Sequence, residues 1–261
     1  MVVKPEERVD IDRSGSPWRE EHLARYHFAI PYIKEKQVLD IACGTGFGSE
    51  LLLSNGAQKV FSADASQEAL DASKLRLDTY KERSDISIQD GTRLTFEDSV
   101  FDIIVSFETI EHIENYEGFL TELHRVLKHE GTLLISTPNA LVTKPVEGKP
   151  INPYHIKEFE PEEFITLLKK HFEVELAAGQ HLPDEYGVAP FLSSFNVTAL
   201  NFYQKINVFY WKLVRRLPNF LRNQIHRLIF GFNFFPSMED YTFYEKDLPL
   251  AHVMYFVCRK K

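Results

Sequence analysis

Short apolar runs of strand length alternate along this chain with stretches whose apolar residues recur every three to four positions. The runs at 37–42, 59–63, 86–89, 101–107 and 131–137 are rich in Val, Ile, Leu and Phe and are bounded by Gly, Asn or Asp, the pattern of buried strands. Between them, 47–55, 66–82 and 116–128 carry helical spacing, as does 18–33, where Leu23, Tyr26, His27 and Ile30 recur. Strands that alternate with helices predict a doubly wound α/β fold, a mostly parallel sheet with helices on both faces. Pro161 opens a further helix with Glu162 and Glu163 in its first turn. The stretches 172–178 and 251–259 read as two more strands.

The alternation fails over 182–248, which is rich in aromatics and holds Pro183, Pro190, Pro218 and Pro236. Leu200, Tyr203, Ile206, Tyr210, Leu213 and Leu217 recur there at helical spacing, with Lys205, Lys212 and Arg216 near another face. Pro218 stops that helix, and Leu221, Ile225 and Leu228 suggest a second. The expected organisation is therefore a lead-in and cap helix over 1–34, a core over 35–181, a helical insertion over 182–248 and the last core strand over 249–261.

Composition narrows the class. Of 261 residues, 44% are hydrophobic, enough for a full core. The net charge of −8 argues against a general nucleic-acid binder. Two cysteines, Cys43 and Cys258, make no disulfide framework and point to a reducing, cytoplasmic setting. The stretch 1–14 is charged and lacks the apolar segment of a signal peptide. No apolar run approaches the roughly 18–20 residues that cross a bilayer.

The chemistry starts at Val38-Leu39-Asp40-Ile41-Ala42-Cys43-Gly44-Thr45-Gly46-Phe47-Gly48. A strand ends in a glycine-rich turn and a helix follows. Glycines admit a ligand close to the backbone, and the helix start presents N–H groups. The spacing is G-x-G-x-G rather than the dinucleotide pattern G-x-G-x-x-G. Asp64 ends the next strand, twenty residues after Gly44, where an acid accepts from ribose hydroxyls; an N-cap for the next helix is the plainer role. The third strand ends in Gln89-Asp90-Gly91, a pair that also forms ordinary turns.

A second cluster follows the fourth strand: Phe107-Glu108-Thr109-Ile110-Glu111-His112. Helical spacing would place Glu108, Glu111 and His112 on one face. Two carboxylates and an imidazole can ligate a divalent ion; equally, they can be helix-start carboxylates beside a general base. His155, in Asn152-Pro153-Tyr154-His155, belongs to the loop beyond the fifth strand, on the rim where α/β sheets bind ligands.

Asp40 with Gly44 and Gly46, Asp64, Asp90-Gly91, Phe101-Asp102-Ile103-Ile104 and the stretch 131–139 together resemble a class I S-adenosylmethionine (SAM) methyltransferase of the type 11/12 kind. The resemblance covers most of 18–178. It implies a Rossmann-like seven-stranded sheet with an antiparallel last strand, and SAM bound by Arg25, Tyr26, Asp40, Ala42, Cys43, Gly44, Gly46, Asp64, Ala65, Asp90, Gly91 and Phe107. In it Arg25 would pair with the methionine carboxylate, a solvated helix face being the equal alternative, and Asp90 would take the adenine amino proton. The acid–histidine segment is similar to that of ubiquinone-biosynthesis O-methyltransferases and small-RNA 2′-O-methyltransferases. That likeness implies Mg²⁺ held by Glu108, Glu111, His112 and His155, or, without metal, catalysis by His112, His155 and Glu111.

Over 186–237 there is no Asp or Glu, but there are Lys205, Lys212, Arg215, Arg216, Arg222 and Arg227. Three readings stand: a packed helical cap, a lid over the acceptor, and a surface for a phosphate-bearing or lipid-linked substrate with peripheral membrane contact. Similarity to bacterial glycan methyltransferases in the first helix and the Asn-Pro-Tyr-His loop favours O-methylation of a sugar or glycan intermediate. A quinone precursor, an RNA 3′ end, or SAM binding without catalysis are the alternatives.

Overall fold

The computed structural model describes residues 17–182, 202–214, 216–246 and 248–261. The expected lead-in at 1–16, the stretch containing Pro183, Pro190 and Leu200, and Arg215 lie outside the described residues. The chain divides into two compact units, one holding 25–181 with 243–261 and the other holding 17–24 with 182–242 among the described residues.

The first unit carries the sheet. Its strands are β1 (Gln37–Ile41), β2 (Lys59–Asp64), β3 (Ser84–Ile88), β4 (Phe101–Phe107), β5 (Leu127–Pro138), β6 (Glu173–His181), β7 (Thr242–Tyr244) and β8 (Val253–Arg259), ordered β3-β2-β1-β4-β5-β8-β6-β7. β1 runs parallel to β2 and β4, β2 parallel to β3, and β4 parallel to β5. β8 is antiparallel to both β5 and β6. The expected seven strands are present; the three-residue β7 at the edge makes eight.

Helices α1 (Pro17–Ile33), α2 (Phe47–Ser54), α3 (Gln67–Arg76), α4 (Tyr116–Val126), α5 (Ala140–Thr143) and α6 (Pro161–Lys169) fill the connections. The helix expected over 66–82 is shorter: it ends at Arg76 with Leu77 as its C-cap, and a 3₁₀ turn takes Asp78–Tyr80. Alternate residues of each strand feed two cores, as the pleat requires. Leu39, Ile41, Ile104, Ile135, Met254 and Phe256 lie in one, and Val38, Val105, Leu134, Tyr255 and Val257 in the other. Covering both faces in this way buries each large side chain for about 1.5–3 kcal/mol and leaves the carboxyl ends of β1, β2 and β4 to present loops.

In the second unit, α7 (Phe202–Val214) and α8 (Asn219–Phe230) are the two helices expected around Pro218. Tyr210 meets His226 and Phe230, ring centroids 5.8 and 5.4 Å apart. Gly231, at φ +87°, ends α8.

Candidate cofactor and acceptor site

The glycine turn is built around a buried acid. Asp40 is fully buried in β1; Tyr26 Oη donates to its Oδ1 at 2.9 Å and Ser49 Oγ to its Oδ2 at 2.6 Å. Ser62 Oγ in turn donates to Ser49 Oγ at 2.7 Å. Burial pushes the Asp40 carboxyl up to about 6. These bonds tie α1, α2 and β2 to β1. Asp40 and Tyr26, both expected to touch the cofactor, instead brace the turn from beneath. Tyr26 packs on Phe47 and Phe107. It also explains Gly48, where a Cβ would sit 2.0 Å from the Tyr26 ring. Cys43 and Phe107 are likewise in the core.

The surface above this brace is backbone. Ala42 and Gly44 take φ +61° and +55°, and Gly46, at φ +79°, starts α2. A Cβ on Gly44 would meet nothing within 4 Å, so open space lies beside this peptide, as a close-approaching ligand requires. Asp64, at the end of β2, accepts from Gly44 N (2.9 Å) through Oδ2 and from Ser66 N (2.8 Å) through Oδ1. Ser66 itself caps α3, so capping falls to the serine. Asp64 stays partly exposed beside exposed Ala65. Asp90 is exposed; the Thr92 hydroxyl and N–H both donate to its Oδ1, holding the carboxyl below its ordinary value. Gly91 is required by Phe119, whose ring would lie 2.7 Å from a Cβ there.

Arg25 lies apart from this turn. It is fully buried, and its Nη1 donates to Gln180 Oε1 of β6 at 2.7 Å, while Nε and Nη2 have no partner among the described residues. Its charge favours ionisation of Glu111, Tyr26 and Tyr255 alike.

The acid–histidine cluster forms at the end of β4. Glu108 does not share a helical face with Glu111 and His112. Its N–H continues the ladder to Ser136 O at 3.2 Å, its φ is +50°, and only then does a 3₁₀ turn take Ile110–His112. Ser136 Oγ donates to Glu108 Oε1 at 2.8 Å. Glu111 is 1% exposed, with Thr137 Oγ1 donating to its Oε2 at 3.0 Å. Burial first, then the nearby Glu108 charge, push the Glu111 carboxyl well up.

The loop 139–159 brings in the rest. Asn139 bonds Leu248 O and Ala251 O and anchors its start. Ile156 N and Lys157 N donate to Glu111 O. His112 Nδ1 lies 3.1 Å from Tyr154 O; a carbonyl only accepts, so Nδ1 carries the proton and Nε2 the lone pair. His155 Nδ1 lies 2.6 Å from Glu158 Oε1, and its Nε2 lies 2.9 Å from Asn152 Nδ2, which assigns the same tautomer. The two rings meet edge-on, centroids 4.9 Å apart. Donor atoms of Glu111, His112 and His155 lie within 4.8 Å of one another, and Glu108 falls outside that group.

Sequence reasoning missed Glu158, which is buried beneath His155 and takes the Thr143 hydroxyl on its other oxygen. Burial raises its carboxyl, but the bonds from His155 and Thr143 outweigh that and hold it below its ordinary value. The spacing His155-x-x-Glu158 was the available signal. In the second unit, Arg222, expected as a phosphate partner, is buried over the Phe234 and Phe235 rings at 5.1 and 4.4 Å.

A parallel sheet into which the last strand inserts antiparallel, with a glycine turn after β1 and acids at the ends of β2 and β3, is the class I methyltransferase arrangement. Residues 39–135 match the Methyltransferase domain family, which together with the fold supports a class I SAM-dependent methyltransferase core. The chain is 30% identical over 151 residues to a probable S-adenosylmethionine-dependent methyltransferase of Mycobacterium tuberculosis; the match spans 58% of this chain and 53% of that protein. It thus covers about half the length of that relative. A ubiquinone biosynthesis O-methyltransferase of Pelagibacter ubique is 28% identical over 150 residues, 53% of this chain and 62% of that one. An S-adenosylmethionine-dependent methyltransferase from Mesorhizobium loti superposes with a TM-score of 0.59 at 14% identity, covering 96% and 100% of the two chains, a likeness of fold.

Proposed function

We propose that this protein is a SAM-dependent O-methyltransferase acting on a hydroxyl of a sugar or glycan intermediate. The observation that carries the reading is the pair of imidazoles beside buried Glu111: the Nδ1–H of His112 is engaged by Tyr154 O and that of His155 by Glu158, and donor atoms of all three residues lie within 4.8 Å of one another. An alcohol is a poor nucleophile until its proton is removed, and a positioned neutral imidazole is suited to that step, for about 10²–10⁴-fold in rate.

SAM supplies an activated methyl on a positive sulfonium. The open backbone at Gly44 and the accessible carboxylates of Asp64 and Asp90 fit its adenosine, with Asp64 on the ribose hydroxyls and Asp90 on the adenine amino group. His112 accepts the acceptor proton at Nε2, and His155, held by Glu158 at Nδ1 and by Asn152 at Nε2, packs edge-on against it and positions it. Glu111, made hard to ionise by burial and by Glu108, offers a hydrogen bond to the acceptor oxygen. Glu158 holds the His155 ring.

Glu111, His112 and His155 also form a donor set for a divalent ion. One carboxylate oxygen and two imidazole nitrogens suit a borderline ion better than Mg²⁺, which prefers oxygen ligands. Such an ion would lower the pKa of a bound hydroxyl. The names of the ubiquinone-biosynthesis O-methyltransferase relatives support a quinone precursor as the second reading of the acceptor.

The test is methyl transfer from labelled SAM to a panel of sugar nucleotides, free glycans, a catechol and a short RNA, before and after chelation. Turnover of a sugar hydroxyl that His112→Ala and His155→Ala together abolish is expected. Turnover of the catechol or the RNA alone would replace the glycan reading, and turnover indifferent to both histidines would end the base reading.

A further inference from the structure

The second unit turns apolar side chains outward in a regular way. On α7, Lys205, Ile206, Phe209, Lys212 and Leu213 are all exposed; on α8, Phe220, Leu221, Gln224, Arg227 and Leu228 are exposed at the same relative positions, fifteen residues on. The spacing i, i+1, i+4, i+7, i+8 is one face of a helix. Phe209 is 70% exposed and Leu228 89%. This reverses the sequence expectation, which set Ile206 and Leu213 apart from Lys205 and Lys212. The inward faces are already satisfied by Val214, Arg222, His226 and Phe234, all buried. Exposed leucine and phenylalanine in such number on one small unit mark a surface meant to be covered.

We propose that the outward faces of α7 and α8 dock this protein onto an anionic lipid surface. Each face joins large apolar side chains to a cation at its margin, as interfacial helices do: the apolar groups enter the headgroup boundary and the cations meet lipid phosphates. No acid occurs between 186 and 237, so the face is uniformly basic, although the whole chain carries −8. An anionic membrane would therefore attract this region and repel the remainder, which gives binding an orientation. A second copy of the chain would bring cation against cation and is disfavoured. Neither helix crosses a bilayer: among the described residues none is long and apolar enough. The surface does not depend on which acceptor is methylated.

The test is co-sedimentation of the full chain with phosphatidylglycerol–phosphatidylcholine vesicles and with phosphatidylcholine alone. Three proteins are compared: the natural chain, Phe209→Ser/Leu213→Ser/Phe220→Ser/Leu228→Ser, and Lys205→Gln/Lys212→Gln/Arg227→Gln. The positions are exposed, and binding of S-adenosylhomocysteine checks that each variant is folded. The natural chain should partition to the anionic vesicles, with roughly tenfold or greater loss of partition in each variant. Absence of partition by the natural chain overturns the proposal, as does equal partition by folded variants. So does a concentration-dependent dimer dissolved by the serine variant, or RNA binding that accounts for the basic face and survives the serine changes.

Discussion

The turn after β1 and the loop after β4 sit on one sheet but are made in opposite ways. The first is local. Asp40, Gly44, Ser49 and Asp64 lie within twenty-five residues, and their bonds run between neighbouring strands and the helix that starts between them. The second is assembled from distant pieces: His112 is held by a carbonyl forty-two residues on, and Glu111 by Thr137. The turn's chemistry is largely backbone, while the loop's is carried by side chains. Binding and catalysis should therefore separate cleanly under substitution.

The largest expected effect is His112→Ala/His155→Ala, which should lower kcat about 10²–10⁴-fold with S-adenosylhomocysteine affinity within about twofold. Parallel losses in both would erase the distinction between the two regions. Next comes the packing beneath the turn. In Gly48→Ala the added methyl falls on the Tyr26 ring and should cost about 1–3 kcal/mol in denaturant unfolding. An unchanged midpoint would show that Tyr26 yields freely.

The buried Asp40 has a sign that can be checked. Its folded pKa, about 6, is raised above its unfolded value, so its contribution is full below about pH 4 and is lost as pH rises through about 6. Relative to Asp40→Asn, the natural chain should lose stability over that window, by about 3 kcal/mol at most. A flat difference between the two proteins across the window would mean that Asp40 titrates normally. The smallest effect is Glu158→Gln, expected to lower kcat about tenfold by loosening His155. It should leave KM for SAM unchanged, whereas a purely structural role would move the unfolding midpoint and leave kcat alone.

The same contrast explains what could be read from the chain alone. The seven longer strands, the helix opened by Pro161 and the turn at Gly44 follow from local pattern and φ requirements. The helical face assumed for Glu108, Glu111 and His112 failed because pairing of Glu108 with Ser136 extends the strand ladder first. Asp40 was misplaced because spacing does not reveal burial, and Tyr26 and Ser49 claim both its oxygens. Glu158 escaped notice because only the folded loop puts it under His155. The short β7 has too few residues to carry a pattern.

The most direct measurement is calorimetric titration of S-adenosylhomocysteine into the natural chain, Asp64→Ala and the double histidine variant. The account predicts binding to the natural chain, a loss of about 1.5–3 kcal/mol for Asp64→Ala, as for a hydrogen bond to a charged group, and near-natural affinity for the histidine variant. Undiminished affinity in a folded Asp64→Ala protein, or affinity that falls with the histidines instead, would contradict it.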